Sequence, residues 1–334
     1  MMPYTHQSLK RFEDEPLLTG RGAFVDDLVR PDMLVAAVVR SPHAHARITS
    51  IRTATARARP SVVEVMTADD IAGDVRPLPA LTREGAEYMT LPEHPVLASD
   101  VVYYAGQPVA LVVAEQHQQA QDAMEAVEVD YEPLPATIDP QLALTPEHPT
   151  IHAEMQGNLA LRARIGRGDM NDARAQADRI LRGRFESPRL SALPLETRGI
   201  VADYDPGHDQ LTLWMSTQVP YRMRTQLADV FVRPPQGIRV IAPDVGGGFG
   251  QKMELWPEYV AVGLLSMKLR RPVKWIEGRM ENLQAYHSRG FTGEVEAAVT
   301  RDGVILGLRC QMVADLGAFM MSFSAAPPVN SDGH

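Results

Sequence analysis

Apolar residues in the first third of the chain come in short blocks rather than helical stripes. Leu34-Val35-Ala36-Ala37-Val38-Val39 lies unbroken between Pro31-Asp32 and Ser41-Pro42, the pattern of a strand buried on both faces. Residues 61–66 predict a second strand, and Asp69-Asp70-Ile71 a turn or short helix. Residues 101–104 and 109–113 predict two strands paired about Ala105-Gly106-Gln107. The period changes over residues 116–127, where Ala120, Ala123, Met124 and Val127 share one helical face. Residues 74–95 are rich in proline and charge and predict a loop. Pro133 and Pro135 end the ordered pattern.

Residues 133–168 are rich in Pro, Thr, Gly and His and predict a linker, closed by Gly166-Arg167-Gly168. Asp169 is then the N-cap of a helix reaching about Ala177. Residues 199–204 and 210–215 flank Asp205-Pro206-Gly207-His208-Asp209, a hairpin signal. Pro220 opens a helix that Pro234-Pro235 stops. Residues 238–242 and 273–276 predict strands on either side of an apolar helix over 255–269. Residues 291–299 and 304–313 predict a hairpin about Asp302-Gly303, in which Cys310 alternates with Leu308 and Met312 as a buried thiol would. The mixture predicts an α+β protein of two domains, residues 1–140 and 166–334, joined by a linker over 141–165.

Composition narrows the function. A chain of 334 residues with 45% hydrophobic and 22% charged positions is globular, and its length suits two domains of ~150 residues. Thirty-three basic against 42 acidic residues give a net charge of −9, which argues against a nucleic-acid partner. The single cysteine excludes a disulfide framework, an iron–sulfur cluster held by this chain alone and a cysteine-rich zinc site. The start lacks the apolar core of a signal peptide, and no apolar stretch approaches the ~20 residues of a transmembrane helix. A cytoplasmic location is expected.

The sharpest local signal is Asp244-Val245-Gly246-Gly247-Gly248-Phe249-Gly250-Gln251-Lys252, between a predicted strand and a predicted helix. It fails as a P-loop, because Gln251 separates Gly250 from Lys252 and Met253 stands where a hydroxyl is needed; it fails as a dinucleotide fingerprint by spacing. Four glycines in five positions suit either a backbone that approaches a bulky ligand or a merely tight turn. Gln218, at a strand end in Ser216-Thr217-Gln218, could donate to an oxo or carbonyl oxygen, or simply cap a loop. His43 and His45 read as a structural turn rather than a metal pair, and Pro149 spoils a helical pairing of His148 with His152. Glu196 and Asp244 read as structural carboxylates, Lys252 as either a solvated or a ligand-side charge, and the basic run at 52–59 as a solvated face.

Ordered motifs then carry a family resemblance. Gly20-Arg21-Gly22 with Asp26-Asp27, Arg40-Ser41-Pro42-His43-Ala44-His45-Ala46-Arg47-Ile48, Gly106-Gln107-Pro108 and Val129-Asp130-Tyr131-Glu132-Pro133 come first. Leu195-Glu196, Ser216-Thr217-Gln218, the glycine cluster and Pro272-Val273-Lys274-Trp275 with Glu277 and Arg279 follow. In these the chain resembles the molybdenum-cofactor subunit of the xanthine dehydrogenase, aldehyde oxidase and carbon monoxide dehydrogenase family. The resemblance implies an α/β hammerhead domain followed by the first half of a molybdopterin-binding domain. It implies a molybdenum hydroxylase that oxidises an aldehyde, a small N-heterocycle or carbon monoxide. Electrons would pass to 2Fe-2S and FAD partner subunits. The implied cofactor is molybdenum–molybdopterin, with the cytosine dinucleotide form among the candidates, and by resemblance the metal would be held through the pterin dithiolene rather than by a protein ligand. By resemblance Gln218 is the catalytic residue that bonds the apical oxo group, while Gly247, Gly248, Phe249 and Gly250 line the cofactor. Met253 replaces the glutamate of purine hydroxylases. The family's second molybdopterin half and its glutamate base have no counterpart here, so that half is expected on another chain or a longer parent. The alternative is a non-catalytic fragment or assembly module.

Overall fold

The computed structural model describes residues 8–80, 86–285 and 287–321. Its organising element is a seven-stranded mixed sheet in the order Ile238–Ile241, Gln210–Met215, Gly199–Asp205, Val273–Ile276, Leu34–Arg40, Pro108–Ala114, Val62–Thr67. Leu34–Arg40 is an interior strand. It pairs in parallel with Val273–Ile276 and antiparallel with Pro108–Ala114, which is why its sequence is an unbroken apolar run. The sheet therefore takes strands from both sides of residues 141–165. The apolar helix Pro257–Leu269 is buried against the sheet, and Pro220–Val230 is a second helix with proline at its first turn.

One predicted pairing does not form. Pro108–Ala114 is buried along its whole length, and its two edges are occupied by Leu34–Arg40 and Val62–Thr67. No edge remains for residues 101–104. Val101–Val102 instead pairs with Ala46–Arg52, which also pairs with Glu128–Pro133, in a separate three-stranded sheet. The Gln107 side-chain oxygen accepts the Tyr103 N–H (2.7 Å) where the chain turns between these sheets.

A further three-stranded sheet joins Arg179–Leu190, Ser288–Val299 and Ile305–Ala314. The helix Met170–Gln176 packs against it, capped by Asp169, whose Oδ1 accepts the Asn171 N–H (2.7 Å). Cys310 corrects the expectation of a buried thiol, because it is exposed. Its neighbours Leu308 and Met312 are 62% and 45% exposed. The alternation correctly marks an apolar face, but nothing in the described chain covers that face.

Candidate active site

The sheet brings the two predicted signals together. Ile238–Ile241 lies parallel to Gln210–Met215, so the chain leaves both strands at the same end. One exit carries Ser216-Thr217-Gln218, and the other carries the glycine loop. The carboxyl ends of adjacent parallel strands are where open α/β sheets commonly bind ligands.

Gln218 is fixed by the loop. The Gly250 N–H donates to Gln218 Oε1 (3.1 Å), while the Gln218 N–H and the Thr217 hydroxyl each donate to the Lys252 carbonyl (both 3.0 Å). A backbone donor on Oε1 settles which way the carboxamide points. Its Nε2 has no partner among the described residues and the side chain is exposed, so a free donor faces outward.

The glycines are required by contact and by dihedral. A Cβ on Gly248 would stand 2.4 Å from the Gln218 carboxamide, and one on Gly246 would stand 2.5 Å from Glu196 Cβ. Gly247 and Gly250 have φ of 93° and 92°, a left-handed conformation that side chains disfavour. Phe249 adopts φ 51° and is 71% exposed, with its ring over Gly247. A bulky aromatic residue in that region is strained, and such strain concentrates at ligand-binding loops.

Lys252 is neither solvated nor ligand-facing. It is fully buried, and its ammonium donates to Glu196 Oε2 (2.8 Å). Burial pulls its pKa below the usual lysine value, against the opposing pull of Glu196. The same Glu196 oxygen accepts from Ser216 Oγ (2.6 Å) and the Gly246 N–H (2.8 Å). Glu196 is thus the structural carboxylate expected, and it ties both ends of the glycine loop to the strand end before Gln218. Asp244 is structural too. It accepts from the Ala23 N–H (2.8 Å) and returns its own N–H to the Ala23 carbonyl (3.0 Å), which fastens Gly22 beside the loop.

Beneath the loop lies a charge network that was not singled out from the sequence. Asn282 Nδ2 donates to Gln251 Oε1 (3.1 Å) and to Glu277 Oε2 (2.7 Å). Glu277 pairs with Arg198 (2.5 Å), Arg198 with Glu258 (3.2 Å), Glu258 with Arg40 (2.7 Å) and Arg40 with Glu281 (2.8 Å). Arg198 is fully buried between the Trp256 and Trp275 rings, 4.2 and 5.4 Å from their centroids. Burial alone would raise the Glu258 pKa, but Arg198 and Arg40 outweigh it and hold it near 2. The available signal was Glu258 itself, one carboxylate inside the apolar run from Leu255 to Leu265.

The remaining candidates separate from this site. His45 Nδ1 bonds the Pro135 carbonyl (2.6 Å), His43 packs on Tyr131, and His152 Nε2 meets the Ala318 carbonyl (2.7 Å). No group of metal-ligating side chains occurs among the described residues. In the basic run Arg52 pairs with Glu128 and Asp130, and Arg57 with Glu64, all at the surface. No helix among the described residues is long and apolar enough to cross a membrane.

Comparison with known families decides the relationship. Residues 151–332 match the molybdopterin cofactor-binding domain, and residues 19–135 match the a/b hammerhead domain of aldehyde oxidase and xanthine dehydrogenase. The chain belongs to the molybdopterin-binding xanthine dehydrogenase and aldehyde oxidase family. It is 40% identical over 313 residues to the nicotine 6-hydroxylase large subunit of Paenarthrobacter nicotinovorans, covering 93% of this chain and 38% of that protein. It is 39% identical to the carbon monoxide dehydrogenase large chain of Afipia carboxidovorans, covering 93% and 39%. The crystal structure of quinoline 2-oxidoreductase from Pseudomonas putida 86 superposes with a TM-score of 0.86 at 40% identity, covering 92% and 39%. The chain thus spans about two fifths of the length of these relatives. A nicotinate dehydrogenase large molybdopterin subunit of Eubacterium barkeri is 30% identical, and there the match covers 68% of the protein.

The residues fit a molybdopterin group. A carboxamide with a free donor, oriented by the loop's own backbone, stands against a glycine whose added methyl would displace it. The Gln218 side chain is exposed, and Gly248 is buried beneath it.

Proposed function

We propose that this chain forms one wall of a molybdenum–pterin active site that oxidises a small N-heterocyclic substrate. The observation that carries this reading is the Gly250 N–H to Gln218 Oε1 bond, which leaves the Gln218 Nε2 donor aimed outward at the carboxyl ends of parallel strands. When bound, the molybdopterin group supplies the redox centre at which a substrate carbon is oxidised. Gln218 Nε2 would donate to an oxygen on that group, a bond that strengthens as charge builds on the oxygen. Gly248 lets the backbone come close, and Gly247 and Gly250 hold the left-handed turns that present the loop. The exposed Phe249 ring would keep water from the reacting face and offer a flat surface to an aromatic substrate.

The N-heterocycle is favoured by relatives named for nicotine and quinoline, and Met253 offers no carboxylate to a purine. An opposite wall with the general base would come from polypeptide matching the rest of the relatives' length. Iron–sulfur and FAD partners would take the electrons; relatives named as large subunit, large chain and complex subunit support such an assembly. The hammerhead and molybdopterin units would divide near residues 141–165, and the cytosine dinucleotide form is the cofactor to seek first. The test is to co-produce the chain with polypeptide covering the remaining stretch and the two electron-transfer partners. Stoichiometric molybdenum and dye reduction by quinoline or nicotine support the proposal. A complete complex without molybdenum refutes it.

A further inference from the structure

The sheet of Arg179–Leu190, Ser288–Val299 and Ile305–Ala314 has two unlike faces. Antiparallel register puts Leu181, Ala297 and Leu308 in one row, Gly183, Val295 and Cys310 in the next, and Phe185, Gly293 and Met312 in the third. That face carries no charge in these rows. The opposite face carries Arg182, Glu296 and Arg309 in one row and is the one the helix Met170–Gln176 covers. Arg174 of that helix pairs with Glu296, and a Cβ on Gly307 would strike Ala173 at 2.5 Å. The uncharged face is bare, with Leu181 54%, Phe185 63% and Leu308 62% exposed. Contiguous apolar surface of this kind marks an interaction site.

We infer that this uncharged face docks the polypeptide that completes the cofactor site. The inference rests on the function proposed above. Two observations name the occupant. In the 40%-identical relatives about three fifths of the protein lies outside the matched stretch, so a large partner surface belongs to the same assembly. The sheet also leads straight into the site: Arg179–Leu190 runs on to Leu193, Pro194 and Leu195, and the Pro194 and Leu195 carbonyls accept from Arg279 beside the glycine loop. Leu195 is 95% exposed next to Glu196, so an exposed apolar side chain also stands at the cofactor wall, beyond the row of Arg189 and Arg289 that bounds the uncharged face. The absence of charge in its rows fits a partner with an apolar protein face and not an acidic or basic segment.

The only cysteine of the chain reports on this face. Maleimide labelling of Cys310 is measured on the chain alone and on the complex with the completing polypeptide. The expected result is labelling slowed roughly tenfold or more in the complex. Phe185→Asp and Leu308→Asp, both at exposed positions, should leave the melting temperature of the chain alone unchanged and weaken complex formation by a similar factor. Ile138→Asp, 90% exposed and off the sheet, should do neither. Three results would overturn the inference: a complex with Cys310 labelled at the free rate, face variants that assemble like the wild type, or protection of Cys310 in the chain alone through self-association. A molybdenum-loaded complex with Cys310 still reactive would refute this docking surface and leave the proposed function standing. A protected Cys310 without molybdenum would do the reverse.

Discussion

The buried ammonium of Lys252 and one carboxylate oxygen of Glu196, 2.8 Å apart, close the glycine loop from below. That oxygen also accepts from Ser216 and Gly246, so a single carboxylate anchors the loop's beginning, its end and the strand that delivers Gln218. Glu196→Leu leaves the Lys252 charge buried and unpaired, which costs about 3–5 kcal/mol. Urea denaturation should show that loss. Replacing both residues, Glu196→Leu with Lys252→Met, should recover most of it, because no lone charge remains.

Gly248→Ala separates the site from the fold. The added methyl meets the Gln218 side chain at 2.4 Å, but that side chain is exposed and can swing away. The expected cost in stability is only about 1–2 kcal/mol. The Gly250-to-Gln218 bond would be lost, and turnover of the complete complex should fall about 100-fold. Thermal melting and dye reduction on the same preparation check both halves of this expectation.

Arg198 holds the network beneath the loop. Arg198→Met strands Glu258 and Glu277 in the core without their shared partner. The expected loss is about 3–5 kcal/mol. The apparent pKa of Glu258 should then rise from near 2, since Arg198 is its largest stabilising charge. Stability of this variant should consequently begin to fail at a higher pH on acid titration than in the wild type.

His94 sets a pH dependence of its own. It is buried, stacked on Phe319 at 4.2 Å, and burial lowers its pKa from 6.5 to about 4, with Glu258 raising and His152 lowering it more weakly. In this window the unfolded chain binds a proton that the folded chain refuses. Stability therefore falls as the pH drops from about 6.5 to about 4, by roughly 3 kcal/mol from this group. His94→Phe keeps a ring against Phe319 and should flatten that part of the stability profile.

Much of this was legible in the sequence because the signals are local. The apolar block at Leu34 is a buried strand, Asp169 caps its helix, and the hairpins about residues 205–209 and 300–304 form as their turn residues require. Gln218 and the glycine loop were visible as separate motifs. Their meeting depends on the parallel pairing of Ile238–Ile241 with Gln210–Met215, which no local pattern encodes. For the same reason the pairing of Leu34 with Val273 could not be read. A lysine after a glycine run looks the same whether it faces water or, as Lys252 does, a buried carboxylate. The alternation around Cys310 identified an apolar face but carried no information about what covers it.

Gln218 and the glycine loop are proposed to face a molybdenum–pterin group. The most direct measurement compares wild type and Gln218→Ala in the completed complex, for both molybdenum content and turnover of an N-heterocycle. The expected result is stoichiometric molybdenum in the wild type, most of it retained in the variant, and turnover reduced about 100-fold. A wild-type complex without molybdenum, or a variant that turns over like the wild type, would contradict it.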